Sequence, residues 1–235
     1  MAAPRITRPQ EAPVVGVDHH LPAVSPDRLS AAGVAACLQT RLPAWQPEWP
    51  GDGGRFPGRV AKPASVLVPL VQRPDGLHVL LTRRTDHLHD HAGQISFPGG
   101  RQDAEDASVI DTALREAHEE VGLRRQHVQV MACLPLYTTV THYQVTPVVA
   151  LVQPTFELVL DSFEVAEAFE VPLRYLMNPA HHRRHRLMVQ GIERQFLSMP
   201  WTRDDGREFF IWGATAAMLR NLYALLADEN PPAAP

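Results

Sequence analysis

The run Arg115-Glu116-Ala117-His118-Glu119-Glu120-Val121-Gly122-Leu123 sets three carboxylates and a guanidinium within two helical turns, and no other stretch constrains the chain as strongly. At ~100° per residue counted from Val109, Glu116 falls near −20°, Glu120 near +20° and Glu119 near −80°, while Ile110, Leu114, Ala117 and Val121 gather at about +80° to +140°. A helix here has one apolar stripe for a core and one acidic stripe. Glu116 and Glu120 form an i,i+4 like-charge pair that costs roughly 0.2–0.5 kcal/mol in an isolated helix. Arg115, four residues before Glu119, offsets part of this, but one guanidinium cannot neutralise three converging carboxylates. A hard divalent cation can, because it takes oxygen ligands and keeps positions open for water and phosphate.

Alone, such a fragment also describes a solvated, salt-bridged face. Its surroundings favour the chemical reading. Gly99-Gly100 ends a short strand-like stretch, Gln94 to Phe97, and lets backbone approach a metal or a phosphate. Asp103, Glu105 and Asp106 stand near the helix start, where negative charge suits the dipole, and Gly122 closes the helix as a C-cap.

The chain of 235 residues is long enough for one sizeable domain or two small ones, and 45% hydrophobic with 20% charged residues is an ordinary globular balance. A net charge of −4 supplies no field toward nucleic acid or anionic lipid. No apolar run is long enough for a membrane span, and residues 1 to 13 lack the apolar centre of a signal peptide, so the expected setting is cytoplasmic. Cys37 and Cys133 lack C-x-x-C spacing and read as structural thiols.

Residues 1 to 25, rich in Pro and polar side chains, read as a flexible arm. A helix is expected from Asp27 to Leu42, then a Pro- and Gly-rich loop from Trp45 to Lys62. Strands are expected at Ala64 to Val71, Leu77 to Thr82, Val128 to Leu134, Val145 to Val152 and Glu164 to Pro172. The Asp75-Gly76 turn between the first two is expected to exceed two residues because of Pro74. The acidic helix should run from Ala107 to Val121 and a last helix from Ala214 to Leu226. Strands interrupted by helices imply an α/β fold, a mixed sheet between helices. His181-His182-Arg183-Arg184-His185-Arg186, without interleaved aromatics, reads as an exposed basic loop. His87, His89 and His91 have no second ligand cluster, which argues against zinc.

The acidic stretch resembles the Nudix box, G-x5-E-x7-R-E-U-x-E-E-x-G-U with U aliphatic. Arg115 to Leu123 match its second half, with Ala117 in the aliphatic slot. The first half is one residue longer, so that Gly100 and Asp106 stand where the glycine and first glutamate belong. In detail the chain is similar to a Nudix subgroup, the coenzyme A pyrophosphatases. That resemblance rests on Leu80-Leu81-Thr82-Arg83-Arg84, Leu88, His91, Gly93 to Gly100, and Thr112 to Glu116. It continues through Tyr143 to Val149, Glu164 to Leu173 and Ile211 to Thr215, about residues 60 to 228.

The resemblance implies a Nudix-type α/β/α sandwich at 61–230, preceded by an arm with one helix at 1–60 and followed by a flexible tail at 231–235. It implies hydrolysis of the diphosphate of coenzyme A or acyl-CoA with Mg2+ or Mn2+, giving 3′,5′-ADP and 4′-phosphopantetheine or its acyl derivative. Glu116, Glu119 and Glu120 would be metal ligands, with Gly100 lending its carbonyl. Glu116, Arg115 and Glu119 would form the catalytic set, although Glu119 could instead be committed to Arg115 or bind a second ion. Arg83, Arg84, His91, Gly99 and Gly100 would meet substrate, while one of the two arginines could equally face solvent. The general base stays open between a box glutamate and Glu164, Glu167 or Glu170; strand alternation would point Glu164 and Glu170 one way and Glu167 the other. Tyr143 would stack on adenine or cap the core. The implied partner is a small molecule, with no nucleic acid and no membrane, on a monomer or homodimer. Alternatives are a hydrolase of ADP-ribose or another nucleoside diphosphate derivative and, more remotely, a non-enzymatic ligand-sensing module.

Overall fold

The computed structural model describes Ile6 and residues 8–52, 60–87, 93–189 and 191–227. Its strands are β1 (Val14–Val17), β2 (Lys62–Arg73), β3 (Gly76–Arg84), β4 (Ile95–Ser96), β5 (Gly99–Arg101), β6 (Val128–Cys133), β7 (Tyr137–Thr138), β8 (Tyr143–Val152), β9 (Val165–Pro172), β10 (Arg183–Val189), β11 (Ile192–Thr202) and β12 (Glu208–Trp212). Its α-helices are α1 (Ala31–Arg41), α2 (Val109–Val121), α3 (Leu173–Leu176) and α4 (Gly213–Leu226).

Eight strands make one mixed sheet, in which β2 and β8 run parallel and the other pairings are antiparallel. Its central strands are apolar on both faces because both are covered. Leu67 and Val71 of β2, Leu80 of β3 and Val148, Ala150 and Val152 of β8 join Ala113, Leu114, Ala117 and Val121 of α2 in one core. The alternate residues Val68, Leu70, Val79, Leu81 and Val149 join Val34 and Leu38 of α1 and Leu219 and Leu222 of α4 in the other. The α/β class expected from sequence is the one observed. No described helix is long and apolar enough to cross a membrane.

The second sheet, antiparallel in the order β1-β10-β11-β12, was not expected. The basic run at 181–186 is no exposed loop. It turns at Pro179–His181 and enters β10, and His182, just before the strand, and His185, within it, are buried. The His185 ring stacks on Phe196 at 4.7 Å, its Nδ1 donates to the Ala12 carbonyl at 3.0 Å, and its Nε2 accepts from the Ser198 hydroxyl at 2.8 Å. Arginines that looked solvent-bound have internal partners: Asp18 accepts from Arg184 at 2.7 and 3.0 Å and pairs with Arg220 at 3.1 Å.

The same contacts correct the flexible arm. In its described part, β1 pairs with β10, and Ala12, Asp18 and Val24 are buried. A composition rich in proline did not exclude order because β10 supplied an edge to pair with. Farther on, Asn221 receives the Trp49 N–H at 2.9 Å and donates to the Trp49 carbonyl at 2.7 Å. The first helix begins later than expected, since Ser30 caps α1 by accepting from the Gly33 N–H at 3.0 Å. The β2–β3 loop is also tighter than expected. Arg73 pairs with Gly76, leaving only Pro74 and Asp75 between them, and Gly76 takes a φ of 124° that a side chain would oppose.

Candidate active site

Helix α2 starts at Val109, because Ser108 caps it: its hydroxyl accepts from the Asp111 N–H at 3.2 Å and donates to the Asp111 carboxylate at 2.7 Å. It stops at Gly122, which is left-handed at φ 72°, with the Leu123 N–H reaching back to the Ala117 carbonyl at 3.2 Å. Between these caps the apolar stripe docks on the mixed sheet, so the acidic stripe faces β5. There backbone replaces side chain. A Cβ on Gly99 would lie 2.4 Å from the Ser65 carbonyl oxygen, and one on Gly100 would lie 2.6 Å from the Glu116 carboxylate.

Arg115 organises this face. Its guanidinium holds Asp106 through Nε at 2.9 Å and Nη2 at 2.8 Å, and donates to Glu116 at 3.0 Å, Glu119 at 2.9 Å and the Arg101 carbonyl at 3.1 Å. That fork holds the Asp106 carboxyl well below the usual range, and the surrounding acids raise Arg115 in turn. Glu119 is largely exposed and turned to Arg115. The three helix glutamates therefore do not converge on one point as expected, and among the described residues no three imidazole, thiolate or carboxylate groups form a ready-made ion cage.

Glu116 and Glu120 stay together on the β5 side. Glu120 is 4% exposed, accepts from the Gly99 N–H at 3.3 Å and meets Arg84 at 3.5 Å. Burial pushes its carboxyl up to about 8 against the opposing pull of Arg84 and the Gly99 N–H; Glu116 and Glu164 push it further. Burial also raises Glu116, and Arg115 only partly offsets that. One buried and one half-buried carboxylate with long or few donors form an under-compensated set of hard oxygen atoms, which fits a divalent cation.

The candidates for a general base separate clearly. Glu164 lies just before β9, pairs with Arg84 at 3.5 Å and acts electrostatically on Glu116 and Glu120. Glu167 is taken by Arg203 at 3.2 Å and Arg207 at 2.7 Å, and Glu170 forms a fork with Arg73 at 2.8 and 2.5 Å. Pairing of β9 with β3 slips between Arg83 and Arg84, at the end of β9 next to Glu164. Arg84 reaches Glu120 of the helix and Glu164. Arg83 instead pairs with Glu167 and Asp86, both at 3.8 Å. His91 lies outside the described residues.

A cleft of about 500 Å3 adjoins Gly99 and Gly100, with Phe97, Tyr143, Phe196, Trp212 and Met218 on its walls and Arg84, Arg101 and Arg194 beside them. A larger one of about 660 Å3 contains Arg83 and Glu167 but no glutamate of α2. Neither is lined by a glutamate of α2, but the first borders Gly99, whose N–H donates to Glu120, and Gly100, which abuts the Glu116 carboxylate. Its wall at 139–143 is braced by Asp52, which accepts hydrogen bonds from the Tyr137 hydroxyl and the Val140 N–H. Sequence reasoning passed over Asp52, Arg101 and Arg194. Asp52 sat in an apparent loop, and Arg194 belongs to the sheet that went unseen.

Fold and site together define an α/β protein that presents buried carboxylates from a capped helix across a Gly-Gly strand. The NUDIX domain profile matches residues 61–191, and the chain belongs to the Nudix family. Relatives bearing the name uncharacterized Nudix hydrolase NudL, from Escherichia coli O1:K1 / APEC and Shigella boydii serotype 18, are each 43% identical over 161 residues, covering 68% of this chain and 80% of theirs. Among solved structures, the Mycobacterium smegmatis Nudix hydrolase RenU (M. smegmatis) is 24% identical and covers 49% of this chain and 73% of its own at a TM-score of 0.39. The NUDIX domain of Shewanella oneidensis NrtR, complexed with ADP ribose, is 18% identical with coverages of 49% and 75% and a TM-score of 0.39.

Proposed function

We propose that this Nudix hydrolase cuts the diphosphate bond of coenzyme A and its acyl thioesters, releasing 3′,5′-ADP and 4′-phosphopantetheine or its acyl form. The observation that carries the reading is the apolar cleft of about 500 Å3 bordered by Gly99, Gly100 and arginines. A long, mostly uncharged arm joined to a diphosphate suits apolar walls that end at cations and a Gly-Gly strand. The sequence resemblance to coenzyme A pyrophosphatases points the same way.

In this reading Glu116 and Glu120 would hold Mg2+ or Mn2+, with the Gly100 carbonyl and Glu119 as further oxygen donors. The cation, when bound, neutralises phosphate oxygens and lowers the pKa of water. Arg115 fixes the Glu116 carboxylate through its 3.0 Å hydrogen bond and is itself locked by Asp106. Glu164 takes the proton of the attacking water, being the one candidate outside α2 whose charge acts on both Glu116 and Glu120. Arg84 borders the cleft and the glutamates and steadies the diphosphate. Gly99 and Gly100 let its oxygens approach the backbone; Arg83 and His91 contact outer parts of the substrate. The setting is cytoplasmic.

The test incubates pure protein with coenzyme A and either cation and resolves both products. Turnover of ADP-ribose without turnover of coenzyme A refutes the substrate assignment.

A further inference from the structure

Two cations on different sheets line the apolar cleft without a counter-ion. Arg101 lies on β5 of the mixed sheet and Arg194 on β11 of the second sheet, and among the described residues neither side chain has a hydrogen-bonding or ionic partner. Arg194 is half-buried, so its charge is already partly stripped of water. Neighbouring acids are engaged elsewhere. Glu193 pairs with Arg186 at 3.6 Å and accepts from Gln195 at 3.2 Å, Asp103 leans on Arg115 at 3.7 Å, and both Asp52 oxygens are occupied by Tyr137 and Val140. Across the hairpin Arg194 faces Leu187. Arg84, the third arginine of the cleft, is committed to Glu120 and Glu164.

We propose that Arg194, with Arg101, forms a second anion subsite that takes a phosphate monoester of the substrate lying outside the bond being cut. A guanidinium presents a planar fork that matches phosphate oxygens, and a dianion in this cleft gives the half-buried Arg194 the counter-charge it lacks while the exposed Arg101 adds a second positive charge to the same wall. Arg194 stands beyond residue 191, where the Nudix match ends, so the second sheet adds this selectivity to the hydrolytic site. The inference rests on the diphosphatase reading above, in which the extra group is the 3′-phosphate of coenzyme A.

Calorimetry of the full chain with 3′,5′-ADP and with 5′-AMP tests the subsite without turnover. The wild type should bind 3′,5′-ADP about ten- to one-hundred-fold more tightly, the range of one charge-assisted contact. Arg194→Gln should erase that preference, and Arg194→Lys should restore part of it. In turnover, the ratio of kcat/KM for coenzyme A over its 3′-dephospho analogue should fall by the same factor in Arg194→Gln. Equal binding of the two nucleotides by the wild type, or a preference that survives Arg194→Gln, overturns the subsite. A loss shared equally by both ligands makes Arg194 merely structural and overturns it too. If the binding preference holds but coenzyme A is not cut, the substrate assignment falls and the subsite stands.

Discussion

Replacing Gly100 by alanine separates the working of the acidic face from its folding. The added Cβ would lie 2.6 Å from Cδ and both oxygens of Glu116, where ordinary contact begins at 3.4 Å, so the carboxylate must retreat by about 0.8 Å (3.4 less 2.6). A displacement of ~1 Å at a reacting centre costs on the order of one-hundred-fold in rate, or about 2.7 kcal/mol of barrier. Stability should hardly change. The group that moves is the end of a flexible side chain, Gly100 has no positive φ, and a less flexible unfolded chain returns about 0.4–1 kcal/mol. Gly99→Ala is the control, since its Cβ meets the Ser65 carbonyl at 2.4 Å and Val66 Cα at 2.5 Å. Backbone cannot swing aside, and overpacking of this kind costs roughly 1–3 kcal/mol or more. The assay is kcat/KM on a diphosphate substrate alongside urea unfolding of both variants. Gly100→Ala retaining activity within about threefold, or losing as much stability as Gly99→Ala, would show that Glu116 does not work where the structure puts it.

Glu116→Gln keeps the shape and removes the charge, so kcat should drop by about a thousandfold or more with an unchanged circular dichroism spectrum; near-normal turnover would reassign the acidic face. Asp18→Ala leaves Arg220, 3% exposed, short of its partner at 3.1 Å, and should cost about 3 kcal/mol in urea unfolding, because a buried cation loses its counter-charge. A loss below about 1 kcal/mol would mean that Glu48, at 2.8 Å from Arg220, suffices alone. Burial holds the His182 imidazole down at about 4 from 6.5, with Nε2 donating to the Leu176 carbonyl and Nδ1 facing Arg220. The unfolded chain therefore binds the extra proton first, and the stability His182 contributes is complete above pH 6.5 and lost as pH falls toward 4. At about 1.4 kcal/mol per pH unit this is worth roughly 3 kcal/mol. His182→Gln should flatten the stability profile in that window, and an unchanged slope counts against the assignment.

The acidic helix was legible because its signals are local: Gly122 as a stop, an apolar stripe, and carboxylates at fixed angles. The central strands were legible because both their faces are apolar. The second sheet was not, because its pattern depends on partners far away in sequence. His185 looks polar until Ser198 and Ala12 satisfy it, and Arg184 looks solvated until Asp18 arrives from the N-terminal segment. Within the site, the angles set Glu119 apart from Glu116 and Glu120, and the i,i+4 spacing that offered Arg115 as its partner is the contact observed. Arg203 and Arg207 engage Glu167 and Arg73 engages Glu170, contacts that sequence spacing does not reveal.

The β10–β11 hairpin, closed by the pairing of Val189 with Ile192, straddles the point where the family match ends. A fragment trimmed at residue 191 would strip β10 of its companion from Arg183↔Ser198 onward and uncover His185, whose ring stacks on Phe196, together with the whole surface that α4 shelters. Anyone wishing to transplant the hydrolytic portion must carry the later strands along, since the homologous segment and the smallest piece able to stand by itself are different lengths of polypeptide.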